Sequence, residues 1–177
     1  MTTANYNYSS LTPELQLDAL ASIGIYPETG LTALNSYENR VYLFTDENKI
    51  RYIVKFYRAQ RWSKAQLLEE HNFCHELQQQ NCAIAAPVNI DGQSLFEFQG
   101  YYFALFNSLS ARSLELDNID LLYDIGSCIG KMHRYAAQSE FQQREQLDVD
   151  TMLRLPINAL KQSKQIPEFI REELFST

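Results

Sequence analysis

Residues 51–58 read Arg51-Tyr52-Ile53-Val54-Lys55-Phe56-Tyr57-Arg58, and the reading of this octet decides the fold. Aromatic and β-branched side chains fit a pleated strand better than a helix. Successive strand residues point to opposite faces, which sets Ile53, Lys55 and Tyr57 together on one side. Lys55 therefore shares a mostly apolar face. An ammonium so placed gives up hydration and calls for a counter-charge or an anionic ligand. An ordinary alternative is a lysine guarding a sheet edge against pairing with another chain.

Upstream of the octet the pattern is also β. Residues 31–34 and 40–44 read as two strands, 50–57 as the third, and Asp46-Glu47-Asn48 as a polar turn between the second and third. The result is an antiparallel meander. Its first connection, Asn35-Ser36-Tyr37-Glu38-Asn39, has no glycine but is rich in groups that bond backbone or an oxyanion. It reads either as a plain hairpin loop or, taken with Lys55, as a flap over phosphates. Before the meander, after a polar tail, Thr12-Pro13 has the form of an N-cap and first helical residue, with Leu15, Ala19, Leu20 and Ile23 at helical spacing ahead of Gly24. That short helix is expected to close one side of the sheet.

Downstream, Ser63 and Gln66 have the spacing of a capping box, and Trp62 and Leu67 that of a hydrophobic staple, which starts a helix at Lys64. Along it Leu67, Glu70, Phe73, Cys74 and Leu77 share one side. Glu70 interrupts this apolar stripe, whereas Glu69 lies about 100° away from it and reads as a solvated carboxylate. Glu70 is either a boundary residue with its head in water or the counter-charge that Lys55 needs. His71 and His75, spaced i, i+4, have metal-ligand spacing but no third ligand, so a solvated helix face is expected for them.

Further on, residues 88–90, 94–98 and 101–106 read as short strands separated by Asp91-Gly92 and Gln99-Gly100, two hairpin signals. Residues 107–112 form a polar connector, either a plain linker or a hinge between a β-rich and a helical lobe. A helix opens near Asp117-Asn118, with Leu122, Ile125, Ile129 and Met132 expected as a buried stripe. Gly126 and Gly130, one turn apart, would admit a second backbone, and His133 at the end of the stripe is expected to be a hydrogen-bonded core residue. Polar, helix-prone sequence punctuated by Pro156 and Pro167 follows.

The chain has 177 residues, 45% of them hydrophobic, and a formal net charge of −7. This allows one respectable core or two small lobes and argues against a general nucleic-acid or anionic-membrane surface. No signal peptide or membrane span is expected, and a cytoplasmic location is the default. Cys74, Cys82 and Cys128 make no C-x-x-C pair and are expected as reduced thiols, with no metal site.

The order of the Asn-Ser-Tyr-Glu-Asn-Arg-Val-Tyr stretch at 35–42, Ile-Val-Lys-Phe-Tyr-Arg at 53–58, Leu-Leu-Glu-Glu-His at 67–71, Ala-Ala-Pro-Val at 85–88 and Ile-Gly-x-x-Ile-Gly-x-x-His at 125–133 resembles the bacterial stress response kinase A family. That family lies in the protein-kinase-like superfamily with aminoglycoside phosphotransferases, choline kinases and homoserine kinases. The resemblance covers residues 11–135 and implies an α+β fold. Residues 1–106 would form a kinase-like N-lobe with an antiparallel sheet and one main helix, 107–112 a hinge, and 113–177 the first helices of an incomplete helical C-lobe.

The resemblance also implies an ATP site. A third-strand lysine that pairs with phosphates and with a glutamate of the following helix maps onto Lys55 and Glu70. Ser36 would meet the phosphates, with Tyr37, Glu38 and Asn39 shaping the flap. Val41 and Ile53 would sandwich adenine, and the hinge after Phe106 would bond its edge through main-chain atoms of Asn107 and Leu109. Mg²⁺ would accompany ATP in the full-length protein.

One departure limits this. The superfamily's His-Gly-Asp-x-His-x-x-Asn catalytic loop and its metal-binding Asp-x-Asp segment are absent, and Leu147-Asp148-Val149-Asp150 has the wrong neighbours to replace them. No catalytic residue set is complete, and inactivity of the 177 residues alone is expected. The chain reads as the N-terminal part of a longer serine/threonine protein kinase, with apolar surface expected after Asp117. A small-molecule hydroxyl kinase fragment and a non-catalytic pseudokinase-like module stand as alternatives.

Overall fold

The computed structural model describes residues 8–110, 117–138 and 140–176. Ala111 and Arg112 of the expected connector, and most of the N-terminal tail, lie outside the described residues. The chain divides into two compact units, Met1–Glu140 and Phe141–Thr177.

In the first unit, Thr12 caps helix α1 (Pro13–Ala21), its hydroxyl accepting from the Leu15 amide, and proline opens the helix where its missing N–H costs nothing. Strands β1 (Thr32–Leu34), β2 (Arg40–Thr45) and β3 (Arg51–Phe56) follow. The turn between β2 and β3 is fixed by the buried Asp46 carboxylate, which accepts from the Asn48 and Ile50 amides at 3.0 and 2.8 Å. Helix α2 (Lys64–Gln79) begins with the expected reciprocal capping box of Ser63 and Gln66. Strands β4 (Phe96–Phe98) and β5 (Tyr101–Asn107) complete an antiparallel sheet of order β1-β2-β3-β5-β4. Helix α3 (Ile119–Ala136) starts at Asn118, whose side chain accepts from the Leu121 amide.

The pleat of β3 divides the packing. Val54 and Phe56 face a core shared with Ala19 and Leu20 of α1 and with Phe44, Phe103 and Leu105. On the opposite side Tyr57, just past the end of β3, packs with Leu67 of α2, Leu95 and Ala104. The sheet is thus covered by α1 on one face and α2 on the other.

Four sequence expectations give way. Residues 88–90 make no strand: Val88 donates to the Leu105 carbonyl of β5 and Ile90 exchanges bonds with Gln93, so the segment makes one bond to the sheet and one tight turn instead of a ladder. The Asp91-Gly92 signal itself holds, both residues having positive φ as a two-residue primed turn requires. His71 is buried rather than solvated, and His75 is half-buried with its Nε2 donating to the Pro87 carbonyl at 2.8 Å. The Leu122, Ile125, Ile129 and Met132 stripe of α3 is not buried, and His133 is exposed rather than a core residue. Among the described residues nothing from outside the helix stands within 4 Å of a Cβ built on Gly126 or Gly130, so no second backbone of those residues packs there. The periodicity of α3 is right; what fails is the inference from an apolar stripe to a partner.

In the second unit one π-helical turn (Asp150–Arg154) runs into α4 (Leu155–Gln162), and Pro167 precedes α5 (Glu168–Phe175). Ahead of the π-helical turn Asp148 and Thr151 bond reciprocally, the Thr151 amide donating to Asp148 Oδ1 at 2.8 Å and the Asp148 amide to Thr151 Oγ1 at 3.1 Å. Its aspartates are engaged locally, with Asp150 paired to Arg154. Ile119, Tyr123, Leu147, Leu155 and Phe169 are all well exposed, so apolar surface does occur after Asp117. Among the described residues no helix is long and apolar enough to cross a membrane.

Candidate functional site

Lys55 lies in β3 directly between Val41 of β2 and Ala104 of β5 in register. Directly opposed residues share a face, so Val41, Lys55 and Ala104 line up across the side that carries α2. Two residues back along β3, Ile53 is flanked by Leu43 and Phe106 on the same face. The expected adenine walls Val41 and Ile53, the cation Lys55 and Phe106 are therefore neighbours on one surface.

Glu70 meets Lys55 across the gap between sheet and helix. The ammonium and the carboxylate are 3.5 Å apart, with side chains 24% and 35% exposed. The capping box fixes where α2 starts, and six residues later the helix presents Glu70 towards the strand. Lys55 Nζ also lies 4.5 Å from the centre of the Tyr57 ring. Cys74, one helical turn past Glu70, is half-buried; burial pushes its thiol pKa up, Glu70 adds to the rise and Lys55 opposes it.

The loop at 35–39 joins β1 to β2 beside the Lys55 end of β3. Three contacts hold it. The Asn39 side-chain oxygen accepts from the Arg58 amide at 3.3 Å, and Arg61 Nε donates to the Glu38 carboxylate at 2.9 Å. Tyr8 donates its hydroxyl to the Glu38 carbonyl at 2.7 Å. Burial pushes the Tyr8 pKa up to about 12 against the pull of the Arg40 and Arg58 guanidiniums, which keeps the phenol a donor. Ser36 is half-exposed and Tyr37 fully exposed at the tip.

At the opposite end of β3 lies the start of the connector. Asn107 pairs with Tyr52, and Ser108 donates to the Arg51 carbonyl at 3.0 Å. Leu109 is exposed. Three residues separate Tyr52 from Lys55, about 10 Å along a strand. Asn107 and Leu109 thus stand apart from the flap and the ion pair, connected to them by the Ile53, Val41 and Phe106 surface.

Sequence reasoning passed over one feature of this region. His71 is buried between Tyr57, whose hydroxyl is 2.7 Å from its Nε2, and Ser94, whose Oγ is 2.9 Å from its Nδ1. The signal was available: His71 follows Leu67 by four residues and so belongs to the inward arc of α2 with Glu70. Tyr8, hidden in a polar tail, carried no comparable signal. Among the described residues no group of three or more His, Cys, Asp or Glu side chains is placed to hold a metal ion.

The model of the phosphotransferase enzyme family matches residues 30–174. The chain is 40% identical over 171 residues to stress response kinase A of Escherichia coli strain K12, an alignment that takes in 97% of this chain and 52% of that protein. It is 41% identical over 162 residues to serine/threonine protein kinase RdoA of Salmonella typhimurium strain LT2, with 92% and 49% covered. The chain spans about half the length of the curated relatives it matches. Among solved structures it resembles an amicoumacin kinase, hAmiN, in complex with AMP-PNP, Ca²⁺ and Ami, with a TM-score of 0.67, 20% identity, and coverage of 87% of this chain and 48% of that one. It also resembles a spectinomycin phosphotransferase in complex with ADP and spectinomycin, with a TM-score of 0.55 at 10% identity, covering 89% and 50%. At these identities the two structures speak to the fold, which is kinase-like.

Proposed function

The chain belongs to the phosphotransferase enzyme family, and on that premise we propose that it forms the nucleotide-binding half of a Mg-ATP-dependent kinase acting on serine or threonine hydroxyls of proteins. The observation that carries this reading is the 3.5 Å Lys55–Glu70 ion pair beside the 35–39 loop, on a face shared with Val41, Ile53 and Phe106. The acceptor class follows the serine/threonine protein kinase at 41% identity, and a role in a stress response follows the stress response kinase at 40%.

In this reading residues 1–106 are the N-lobe, 107–112 the hinge and 113–177 the start of a helical lobe. The donor set fits a triphosphate: Lys55 offers three N–H donors, and a single carboxylate at 3.5 Å holds it without enclosing it. Lys55 binds the α- and β-phosphates, and Glu70 is its counter-charge. Ser36 meets phosphate oxygens from a loop anchored through Glu38 and Asn39, while Tyr37 covers the site at the tip. Val41 and Ile53 hold the base against the apolar face, with Phe106 beside it. Asn107 and Leu109 bond its edge through main-chain groups. ATP supplies the transferable γ-phosphoryl group. Mg²⁺ would accompany ATP in the full-length protein; among the described residues no group of three or more His, Cys, Asp or Glu side chains is placed to hold a metal ion. With the His-Gly-Asp-x-His-x-x-Asn loop absent from the 177 residues, the chain binds nucleotide and does not turn it over.

The test is a Mg-ATP titration of wild type and Lys55→Ala followed by thermal shift. Ligand at a hundredfold its Kd stabilises a folded protein by about 2.7 kcal/mol. Wild type should rise accordingly, and Lys55→Ala should need at least about tenfold more ATP, the worth of one charge-assisted contact. Equal responses remove Lys55 from the site.

A further inference from the structure

We propose that Tyr57 is a positioning residue for Lys55: its ring fixes where the ammonium rests, and the buried His71–Ser94 pair fixes the ring. The proposal rests on the reading of Lys55 as the phosphate-facing cation.

The ion pair with Glu70 leaves Lys55 under-determined. At 3.5 Å the contact is too long for a strong directional hydrogen bond, and a four-carbon stem has many rotamers that satisfy it equally. The Tyr57 ring supplies the missing restraint. It follows Lys55 by two residues, faces the same side, and has its centre 4.5 Å from Nζ, within the range where the electron-rich face attracts a cation. This attraction uses up none of the three N–H donors. It narrows where the ammonium sits and leaves those donors directed at an incoming anion.

A ring can position a neighbour only if it is itself held. Tyr57 is 2% exposed, and its hydroxyl is 2.7 Å from His71 Nε2. His71 is 1% exposed, and its other nitrogen is 2.9 Å from Ser94 Oγ. With a partner on each nitrogen the imidazole has one orientation, and the phenol inherits it. Glu70 and His71 are adjacent in α2, so the helix reaches Lys55 twice: directly through the carboxylate and indirectly through the tyrosine ring. Both routes are set by one helical register.

The experiment uses the 177-residue chain with lysine ¹³Cε labelling, the Lys55 signal being identified by its loss in Lys55→Arg. Without nucleotide, Lys55 should show an upfield ring-current displacement that Tyr57→Leu abolishes and that Tyr57→Phe, which keeps the ring but loses its bond to His71, shrinks. Titration should show ATP binding about fivefold weaker in Tyr57→Leu, with a smaller loss in Tyr57→Phe, and adenosine affinity unchanged because adenosine has no phosphate for Lys55. A purely structural role would weaken both ligands together. Tyr57→Leu disturbs a buried site, so Ser94→Ala, which removes one hydroxyl, carries the test independently: it should shrink the displacement. A Lys55 signal identical in wild type, Tyr57→Leu and Ser94→Ala overturns the proposal, as does wild-type ATP affinity in a folded Tyr57→Leu. Equal ATP responses of wild type and Lys55→Ala would instead overturn the nucleotide reading, while the ring-current arm still decides whether Tyr57 positions Lys55.

Discussion

The sheet region and helix α3 carry similar sequence signals and meet opposite fates. In β3 and β5 the alternation of apolar residues buries Val54, Phe56, Phe103 and Leu105 completely. In α3 an equally regular stripe stays open, with Ile125 and Ile129 37% and 41% exposed and no residue of the helix buried. Periodicity reports which side of an element is apolar; it does not report what covers that side. The sheet finds its cover locally, in α1 and α2, which are a few residues away in sequence. Helix α3 does touch α2 at its last turn, where Tyr135 donates to Glu76 at 3.1 Å and its ring lies 6.2 Å from that of Phe73.

This contrast can be broken most forcefully by truncating one residue in each region. Phe56→Ala should cost about 3–5 kcal/mol in chemical denaturation, the usual range for emptying a filled aromatic site. Ile129→Ala should stay within about 0.5 kcal/mol of wild type, as for an open surface. Comparable losses at the two positions would mean that α3 is covered after all. The α2 start offers an intermediate effect: Ser63→Ala removes one arm of the capping box and should cost about 1 kcal/mol, read as a lowered denaturation midpoint. The last expected change is of opposite sign. Gly126→Ala meets open space, so it should stabilise the helix by about 0.5–1 kcal/mol through propensity alone, seen as a gain in helical circular dichroism on heating. Destabilisation there would reveal a close backbone neighbour.

Much of the fold was legible in the sequence because its signals are local. The Thr12-Pro13 start, the Ser63–Gln66 box and the Asp91-Gly92 turn each depend on residues no more than a few positions apart, and each stands where expected. The Lys55–Glu70 pairing was also within reach, since a charge on an apolar strand face and a charge on an apolar helix face each need the other. What escaped was non-local or outweighed. His71 looked like half of a solvated pair until Tyr57 and Ser94, from two other segments, took up both ring nitrogens. The Tyr8 bond to the Glu38 carbonyl spans 30 residues, and nothing in a polar tail announces it. Residues 88–90 had strand composition, yet Val88 bonds to Leu105 far along the chain while Ile90 closes a turn with Gln93.

The central claim is that Lys55, held by Glu70 at one end of β3, faces the phosphates of a bound nucleotide. It is tested most directly by treating the chain with an ATP acyl phosphate, which transfers its acyl group to a lysine lying against the phosphates, and mapping the product by mass spectrometry. Acylation concentrated on Lys55 and suppressed by excess Mg-ATP is the predicted result. Labelling spread over Lys49, Lys64 and Lys131 and indifferent to Mg-ATP would contradict it.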